Sequence, residues 1–419
     1  MRTASAVTSP SNCSCRARPR ESAVGNSTLN TPPSFSCSAT SSRGVAATPS
    51  FGILGTYPPT RCGLATFSAA LADGLAVHGA GVSVVKIADG SPSSSGRVVG
   101  ELVNDSPASV AATSELLNRG DVAIVQHEYG IYGGPDGDDV VDVIGGLRIP
   151  SIVVVHTVLT DPTPHQRSVL EAVAALADQI VVMSEAANRR LCGGFDVDPR
   201  KVSTIPHGAN VPARLASSAR PGRPTLLTWG LLGPGKGIER VVDAMVSLHD
   251  LPGRPRYLVA GRTHPKVLAA EGEAYRNARI DQACRRGVGA SVSFDADYRD
   301  VASLTRLAQE SAVVVLPYDS TEQVTSGVLV DAIATGRPVV ATAFPHAIEL
   351  LASGAGVVVD HDDPDALASA LHRLLTKPDV AAAMAAEAAR LAPAMAWPVV
   401  ANAYVSLARS LLAERPALV

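Results

Sequence analysis

The sequence has few aromatic and few charged residues, and it has no long apolar run. Aromatic residues make up 4% of its 419 residues and charged residues 18%, and 36 Lys and Arg nearly balance 39 Asp and Glu. The formal charge of −3 gives no electrostatic reason to expect a nucleic acid or an anionic lipid as partner. Apolar runs such as Ile152–Val155 have the length of strands, far below the roughly 20 residues of a membrane-spanning helix. The composition therefore predicts a globular chain without a transmembrane segment.

Cysteine is also scarce. The six cysteines form no C-x-x-C pair and have no zinc-ligand spacing, so the sequence predicts neither a disulfide framework nor a metal site. We expect a protein of the reducing cytoplasm, with Cys192 and Cys284 as small buried apolar residues.

Residues 1–48 differ in composition from the rest of the chain. Almost half of them are Ser, Thr or Pro, and Glu21 is the only acidic residue. Such a segment buries too little apolar surface to offset its ordering entropy, so we expect a disordered extension. An organelle transit peptide and a start codon placed too early are the alternatives.

After residue 48, short β-branched runs alternate with helical stretches, and this alternation predicts parallel sheets covered by helices. A polar linker rich in Pro and Gly, residues 213–224, interrupts the pattern. We therefore expect an α/β fold with two Rossmann-like, doubly wound domains, residues 49–214 and 215–395, facing an interdomain cleft. A final helical segment, residues 396–419, follows.

One segment, Thr225–Ala244, has the composition of an anion site. It reads as a strand, a turn with Gly230, Gly233 and Gly235, then Lys236 and an amphipathic helix. Glycines let backbone N–H groups approach an anion, and the helix N-terminus and the lysine add positive charge. The pattern predicts a phosphate or diphosphate site.

A second segment, residues 316–342, reads as strand, polar loop, helix and strand. Its helix start would offer three unpaired N–H groups to an anion, those of Ser326, Gly327 and Val328. Gln323 on the loop and Asp331 in the helix can hydrogen-bond sugar hydroxyls.

Both segments resemble the C-terminal domain of the family 4 glycosyltransferases, retaining enzymes with the GT-B fold. The phrase DAIATGRPVV, residues 331–340, is similar to a family phrase that follows an E-x7-E segment, and Trp397 resembles a tryptophan of a helix that crosses back to the N-terminal domain. The resemblance implies a hexosyltransferase that uses a nucleotide-diphosphate sugar as co-substrate, needs no metal or other cofactor, and has a carbohydrate or other small-molecule acceptor.

The resemblance also implies roles for individual residues. Lys236 would bind the donor diphosphate and His156 would lie near the reacting sugar, as the catalytic pair. The expected donor-binding residues are Gly63, Arg262, Gln323, Ser326, Gly327, Val328 and Asp331. On the acceptor side the expected residues are His127, Glu128 and Tyr132.

Three positions depart from the family pattern. Leu231 stands where the family has an arginine, and Gln323 and Asp331 stand where it has glutamates, while Arg262 is close enough in the expected fold to supply the missing cation. Two alternatives therefore remain open. One is a sugar-nucleotide-binding protein that has lost turnover and acts through a partner. The other is a P-loop nucleotidase, because Gly230, Gly235 and Lys236 match a Walker A pattern that lacks only its final hydroxyl residue.

Overall fold

The computed structural model describes residues 48–213 and 222–415. The predicted N-terminal extension and most of the predicted linker lie outside the described residues. No helix within the described ranges combines the length and the apolar character needed to cross a membrane.

The first half of the described chain forms one parallel sheet of seven strands, in the order β3-β2-β1-β4-β5-β6-β7. Its strands are β1 (Phe51–Gly55), β2 (Val82–Ile87), β3 (Val98–Leu102), β4 (Val122–His127), β5 (Ser151–Val155), β6 (Gln179–Val182) and β7 (Val202–Thr204). Its helices are α1 (Gly63–Val77), α2 (Pro107–Leu117), α3 (Asp139–Gly145), α4 (Pro164–Leu176) and α5 (Glu185–Gly194). We call this part the N-terminal half.

The second half forms a parallel sheet of six strands, in the order β10-β9-β8-β11-β12-β13. Its strands are β8 (Thr225–Trp229), β9 (Arg256–Ala260), β10 (Val292–Asp295), β11 (Val313–Leu316), β12 (Val339–Thr342) and β13 (Gly356–Val359). The helices are α6 (Ile238–Leu248), α7 (Pro265–Glu271), α8 (Ala274–Arg285), α9 (Val301–Glu310), α10 (Gly327–Ala334), α11 (Pro345–Leu351), α12 (Pro364–Thr376) and α13 (Pro378–Met395). We call this part the C-terminal half.

The predicted fold class of two doubly wound parallel sheets is confirmed. Strand β3, which sequence reasoning missed, lies at a sheet edge, and its first four residues alternate between partly buried and exposed. Because an edge strand is half solvated, it lacks the continuous apolar run by which a central strand is recognised.

The last helix, α14 (Trp397–Glu414), packs on the N-terminal half although it follows the C-terminal half in sequence. Its apolar face, which includes Tyr404 and Ala408, shares a buried cluster with Leu71 of α1. A Cβ at Gly74 would lie 2.8 Å from that of Ala401, so this glycine allows the close approach of α1 and α14.

The expectation for two cysteines is wrong. Cys192 on α5 is only partly buried and Cys284 on α8 is exposed. A helix that covers a sheet leaves one face in water, and a small apolar residue can occupy either face at little cost.

Candidate functional site

A cleft of about 520 Å³ is lined by residues of both halves. It lies where the strand order of each sheet reverses, between β1 and β4 on one side and between β8 and β11 on the other. Such switch points open a crevice at the carboxyl ends of parallel strands. The cleft lining includes eight of the twelve predicted site residues: Gly63, Glu128, His156, Lys236, Arg262, Gly327, Val328 and Asp331.

The glycine-rich turn after β8 is packed tightly against the turn after β9. The Gly230 N–H donates to Ala260 O (3.0 Å) and the Leu232 N–H donates to Arg262 O (2.8 Å). Gly261 has φ +144°, and a Cβ there would overlap the carbonyl oxygen of Gly230. The turn is therefore held by backbone contacts within the C-terminal half.

Gly237 explains the departure from the Walker A pattern. It caps α6 in the left-handed conformation, with φ +62°, and a Cβ there would overlap the carbonyl oxygen of Pro317. A Ser or Thr at this position would carry both the conformational strain and the overlap. The backbone at the start of α6 thus leaves no room for the hydroxyl side chain of a P-loop.

Lys236 lies in the cleft on an aromatic surface. Its Nζ is 4.5 Å from the ring centroid of Tyr318, which in turn stacks on Phe344. Burial lowers the pKa of Lys236, and no carboxylate in the described part of the chain forms an ion pair with it. An unpaired, partly desolvated cation next to a helix N-terminus is suited to an anionic ligand.

Arg262 extends the positive charge of this end of the cleft. Its side chain is exposed and lines the cleft together with Leu231 and Lys236. Because the Leu232 N–H is bonded to Arg262 O, the two turns that carry Leu231 and Arg262 are adjacent. The turn after β9 thus carries a cationic side chain beside Leu231.

The N-terminus of α10 presents two N–H groups to the cleft rather than three. Ser326 does not line the cleft, and its N–H donates to Nδ1 of His346 (2.9 Å) while its Oγ accepts from the Leu329 N–H (3.3 Å). Burial lowers the pKa of His346 to about 4, so the ring is neutral and can accept. The prediction that Ser326 offers a free N–H is therefore wrong, whereas Gly327 and Val328 line the cleft.

His207, which is not among the residues predicted above for the site, lines the cleft beside the start of α10. Its Nδ1–H donates to Gly208 O (2.6 Å), and a Cβ on Gly327 would lie 2.8 Å from its Nε2. Burial lowers the pKa of His207 to about 4. The ring of Phe67 packs edge-on against His207 and also against Trp397, with centroids 5.1 and 5.0 Å away.

Gln323 does not line the cleft, contrary to its predicted role. Its Nε2 donates to the carbonyl oxygen of Thr325 (3.0 Å). Thr325 itself lines the cleft, and its buried Oγ1 has no hydrogen-bond partner among the described residues. The hydroxyl that this loop offers to a ligand is therefore that of Thr325, which the polar loop sequence alone could not single out.

Asp331 lies in the cleft wall on α10. Burial raises its pKa to about 7, because a carboxylate without solvent or a cation at hand is costly to ionise. A ligand hydroxyl that donates to this carboxylate would favour the ionised form. No group of three His, Cys, Asp or Glu side chains in residues 48–213 and 222–415 is arranged to hold a metal ion.

His156, at the end of β5, is a neutral hydrogen-bonding group. Its Nε2–H donates to Oε1 of Gln126 (2.6 Å), and its ring packs edge-on against Phe67. Burial, followed by the nearby His207 and His127, lowers the pKa of His156 to about 3. The bond to Gln126 leaves Nδ1 as an acceptor toward a ligand.

Two of the predicted acceptor-side residues belong to the core. His127 is 1% exposed and packs against Tyr129, and the hydroxyl of Tyr132 donates to Gln126 O (2.6 Å). Successive residues of a strand face opposite sides of the sheet, so Gln126 reaches His156 while His127 faces the other side. Glu128 does line the cleft; it accepts from the Thr157 hydroxyl (2.5 Å), and burial raises its pKa.

Gly63 begins α1 at the cleft. Cys62 caps the helix, with its Sγ accepting from the Ala65 N–H (3.4 Å). No atom lies within 4 Å of the position of a Cβ on Gly63. This open space leaves room for a ligand beside the first turn of α1.

Comparison with known proteins agrees with the two-part architecture. The family described as Glycosyltransferase Family 4 matches residues 62–211, and the family described as Glycosyl transferases group 1 matches residues 223–377. A D-inositol 3-phosphate glycosyltransferase from Kineococcus radiotolerans is 29% identical over 286 residues, which cover 61% of this chain and 62% of the relative. The corresponding protein from Rhodococcus jostii is 28% identical over 249 residues, 56% of this chain and 53% of the relative. The matched part of the chain thus spans less than two thirds of these relatives.

Solved structures share the fold at lower identity. A sucrose-phosphate synthase from Thermosynechococcus elongatus superposes with a TM-score of 0.69 at 18% identity, covering 87% of this chain and all of the other. Alr3699/HepE from Anabaena, in complex with UDP and glucose, superposes with a TM-score of 0.66 at 16% identity, covering 86% of this chain and all of the other. With two family matches in succession and this two-sheet fold, the chain belongs to the family 4 glycosyltransferases of the GT-B fold.

Proposed function

We propose that the protein is a retaining glycosyltransferase that moves a sugar from a nucleotide-diphosphate sugar to a small-molecule acceptor. The observation that carries the proposal is the convergence in one cleft of Lys236 at the start of α6, the first N–H groups of α10, and His156. Membership in the family and the UDP complex of the Anabaena protein support a sugar nucleotide as donor.

The donor diphosphate lies between the two helix N-termini. Lys236, Arg262 and the N–H groups of Gly327 and Val328 stabilise the charge that grows on the leaving diphosphate as the sugar bond breaks. Removing one such preorganised donor from the oxyanion hole of a protease costs about 2.7–4 kcal/mol. These groups neutralise the leaving group without a metal ion, so transfer proceeds in the presence of a chelator.

The sugar lies between the halves. His156 accepts a hydrogen bond from a sugar hydroxyl through Nδ1, the Thr325 hydroxyl bonds another, and Asp331 accepts from the ribose. Glu128 faces the acceptor. Enclosure by both halves excludes water and limits hydrolysis of the donor.

A binding protein without turnover is the second candidate. Two features favour it. Gln323 bonds Thr325 O and does not line the cleft, and the side chain of Leu231 at the diphosphate end is apolar. Sugar transfer from any donor rules it out.

The test is thermal denaturation with UDP, GDP and ADP, each with Mg²⁺ and with EDTA, followed by a transfer assay with the matching sugar nucleotide. A ligand at 100 times its Kd adds about 2.7 kcal/mol to the free energy of unfolding, a readable shift. We expect one of the three diphosphates to raise the Tm, and by the same amount with EDTA as with Mg²⁺. In the transfer assay, D-inositol 3-phosphate is the first acceptor to try, because the relatives are named for it. Stabilisation only with Mg²⁺ supports the nucleotidase, and no stabilisation by any diphosphate contradicts the proposal.

A further inference from the structure

The loop between β11 and α10, residues 317–326, is anchored in the N-terminal half. Val324 is 4% exposed and belongs to the buried cluster of the N-terminal half, together with Val158 and Ala187. The hydroxyl of Ser184 donates to Val324 O (2.6 Å). The loop that carries Thr325 is thus shaped by side chains of the other half.

Arg190 of α5 joins this loop to the loop that follows His156. One guanidinium nitrogen, Nη1, donates to Val158 O (2.9 Å) and to Glu322 O (2.7 Å). The other, Nη2, lies 3.4 Å from the Glu322 carboxylate, which also accepts from the Thr160 hydroxyl. The Arg190 side chain is only 18% exposed, so these bonds are largely shielded from water.

A second contact fixes α5 itself to the C-terminal half. The carboxylate of Glu349 on α11 accepts from the N–H groups of Glu185 (3.0 Å) and Ala186 (2.8 Å) at the start of α5. A carboxylate at a helix N-terminus satisfies unpaired donors and complements the helix dipole. With this contact, α5 is held at its first turn while Arg190 reaches both loops from the second.

We propose that Arg190 is a positioning residue that sets the distance between His156 and Thr325, the two sides of the donor-sugar pocket. The inference rests on the proposed function, since it concerns the sugar end of the same cleft. Planar geometry allows one guanidinium to bond two carbonyls and a carboxylate at once, which a single ammonium does less well. In this proposal the carboxylate of Glu322, the residue before Gln323, pairs with Arg190 and does not contact the ligand.

The bonds of Arg190 go to Val158 and Glu322, so Arg190 does not itself touch Lys236 or the glycine turn at the diphosphate end of the cleft. Lys236 and its glycine turn are held by backbone bonds within the C-terminal half. Loss of Arg190 should therefore weaken recognition of the sugar and turnover while leaving the affinity for the free nucleoside diphosphate unchanged.

The experiment compares Arg190→Ala with Arg189→Ala, an exposed neighbour on the same helix that carries the same charge. Calorimetry gives the Kd of the nucleoside diphosphate and of the intact sugar nucleotide, and steady-state assays give kcat and KM. For Arg190→Ala we expect a diphosphate Kd within twofold of wild type, a sugar-nucleotide Kd and a kcat at least tenfold worse, and partial recovery in Arg190→Lys. Arg189→Ala should match wild type throughout.

Glu322→Ala keeps the backbone carbonyl that Arg190 uses, so it should cost no more than about threefold in kcat, as expected for a half-exposed ion pair.

Equal kcat and equal sugar-nucleotide affinity in Arg190→Ala and Arg189→Ala would overturn the inference alone. Parallel loss of diphosphate and sugar-nucleotide affinity would also overturn it, because it would indicate a general structural role. If the wild type binds the sugar nucleotide without turnover, the Kd of the nucleoside diphosphate and the Kd of the sugar nucleotide still test the inference. If it binds neither ligand, the proposed function and the inference both fail.

Discussion

The two helix N-termini that meet in the cleft are built in different ways. The start of α6 has its own cation, Lys236, and a glycine turn fixed by bonds inside the C-terminal half. The start of α10 adds only N–H groups, is covered by the His207 ring, and follows a loop whose Val324 is buried in the N-terminal half. One anion site is formed by residues of a single half, whereas the other is bordered by residues of both halves.

This difference gives the two helix N-termini different roles in the proposed function. On the proposed function, a site made by one half binds the diphosphate whatever the spacing of the halves, while a site bordered by both halves responds to that spacing. Binding energy from the diphosphate is then available to bring the sugar-holding groups into register. The three predictions below separate the contributions of the two sites.

The largest effect is expected at α6. Lys236→Ala removes the unpaired cation of the diphosphate site, so we expect turnover to fall about 100-fold or more, with little change in Tm because no ion pair is lost. Steady-state kinetics and thermal denaturation measure the two quantities. Lys377→Ala, an exposed lysine between α12 and α13, is the matched control and should leave both unchanged. Turnover near the wild-type value in Lys236→Ala would remove the lysine from the mechanism.

A smaller effect is expected at α10. In Gly327→Ala the new methyl group would lie 2.8 Å from His207 Nε2, so this ring of the cleft lining must shift, and we expect about a tenfold loss of sugar-nucleotide affinity. Calorimetry measures this affinity. The double variant with His207→Ala removes the clash and should regain most of the loss. If the double variant binds no better than Gly327→Ala alone, the steric explanation is wrong.

The smallest effect concerns Asp331. Burial raises its pKa to about 7, so between about pH 4 and pH 7 the folded chain retains a proton that the unfolded chain loses, and wild-type stability falls as the pH rises. Asp331→Asn avoids this cost. Its Tm should equal that of wild type near pH 4, rise above it toward pH 7, and stay about 3 °C or more higher at pH 8. A constant Tm difference across this pH range would show that Asp331 does not titrate as the structure indicates.

Secondary structure was largely predictable because it depends on local pattern. The reading of Thr225–Ala244 as a strand, a turn and a helix is confirmed by β8 and α6, since central strands and amphipathic helices carry strong periodicities. The helices of residues 107–117 and 265–271 were missed. Their apolar spacing is weak, and Pro at their first positions reads as a loop signal as readily as a helix start.

The side chain predicted at the α6 site lines the cleft, whereas two of those predicted near the α10 site do not. Lys236 follows a glycine turn whose backbone direction is set locally, and it lines the cleft. Gln323 and Ser326 are polar residues at a loop and a helix start, yet one bonds Thr325 and the other bonds His346. Their partners are set by contacts with the packed halves, which the spacing of polar residues does not encode.

The sequence alone therefore determined the alternation of strands with helices, the division into two parallel-sheet domains, and the glycine turn with its lysine, because each depends on residues close together in the chain. Tertiary structure alone decided that His127 and Tyr132 are buried, that His207 and Thr325 face the cleft, and that Arg190 joins the two halves. The reason is physical. A side chain is buried, bonded or free according to what packs against it, and for Val324 and Glu322 the bonded partners come from segments more than a hundred residues away.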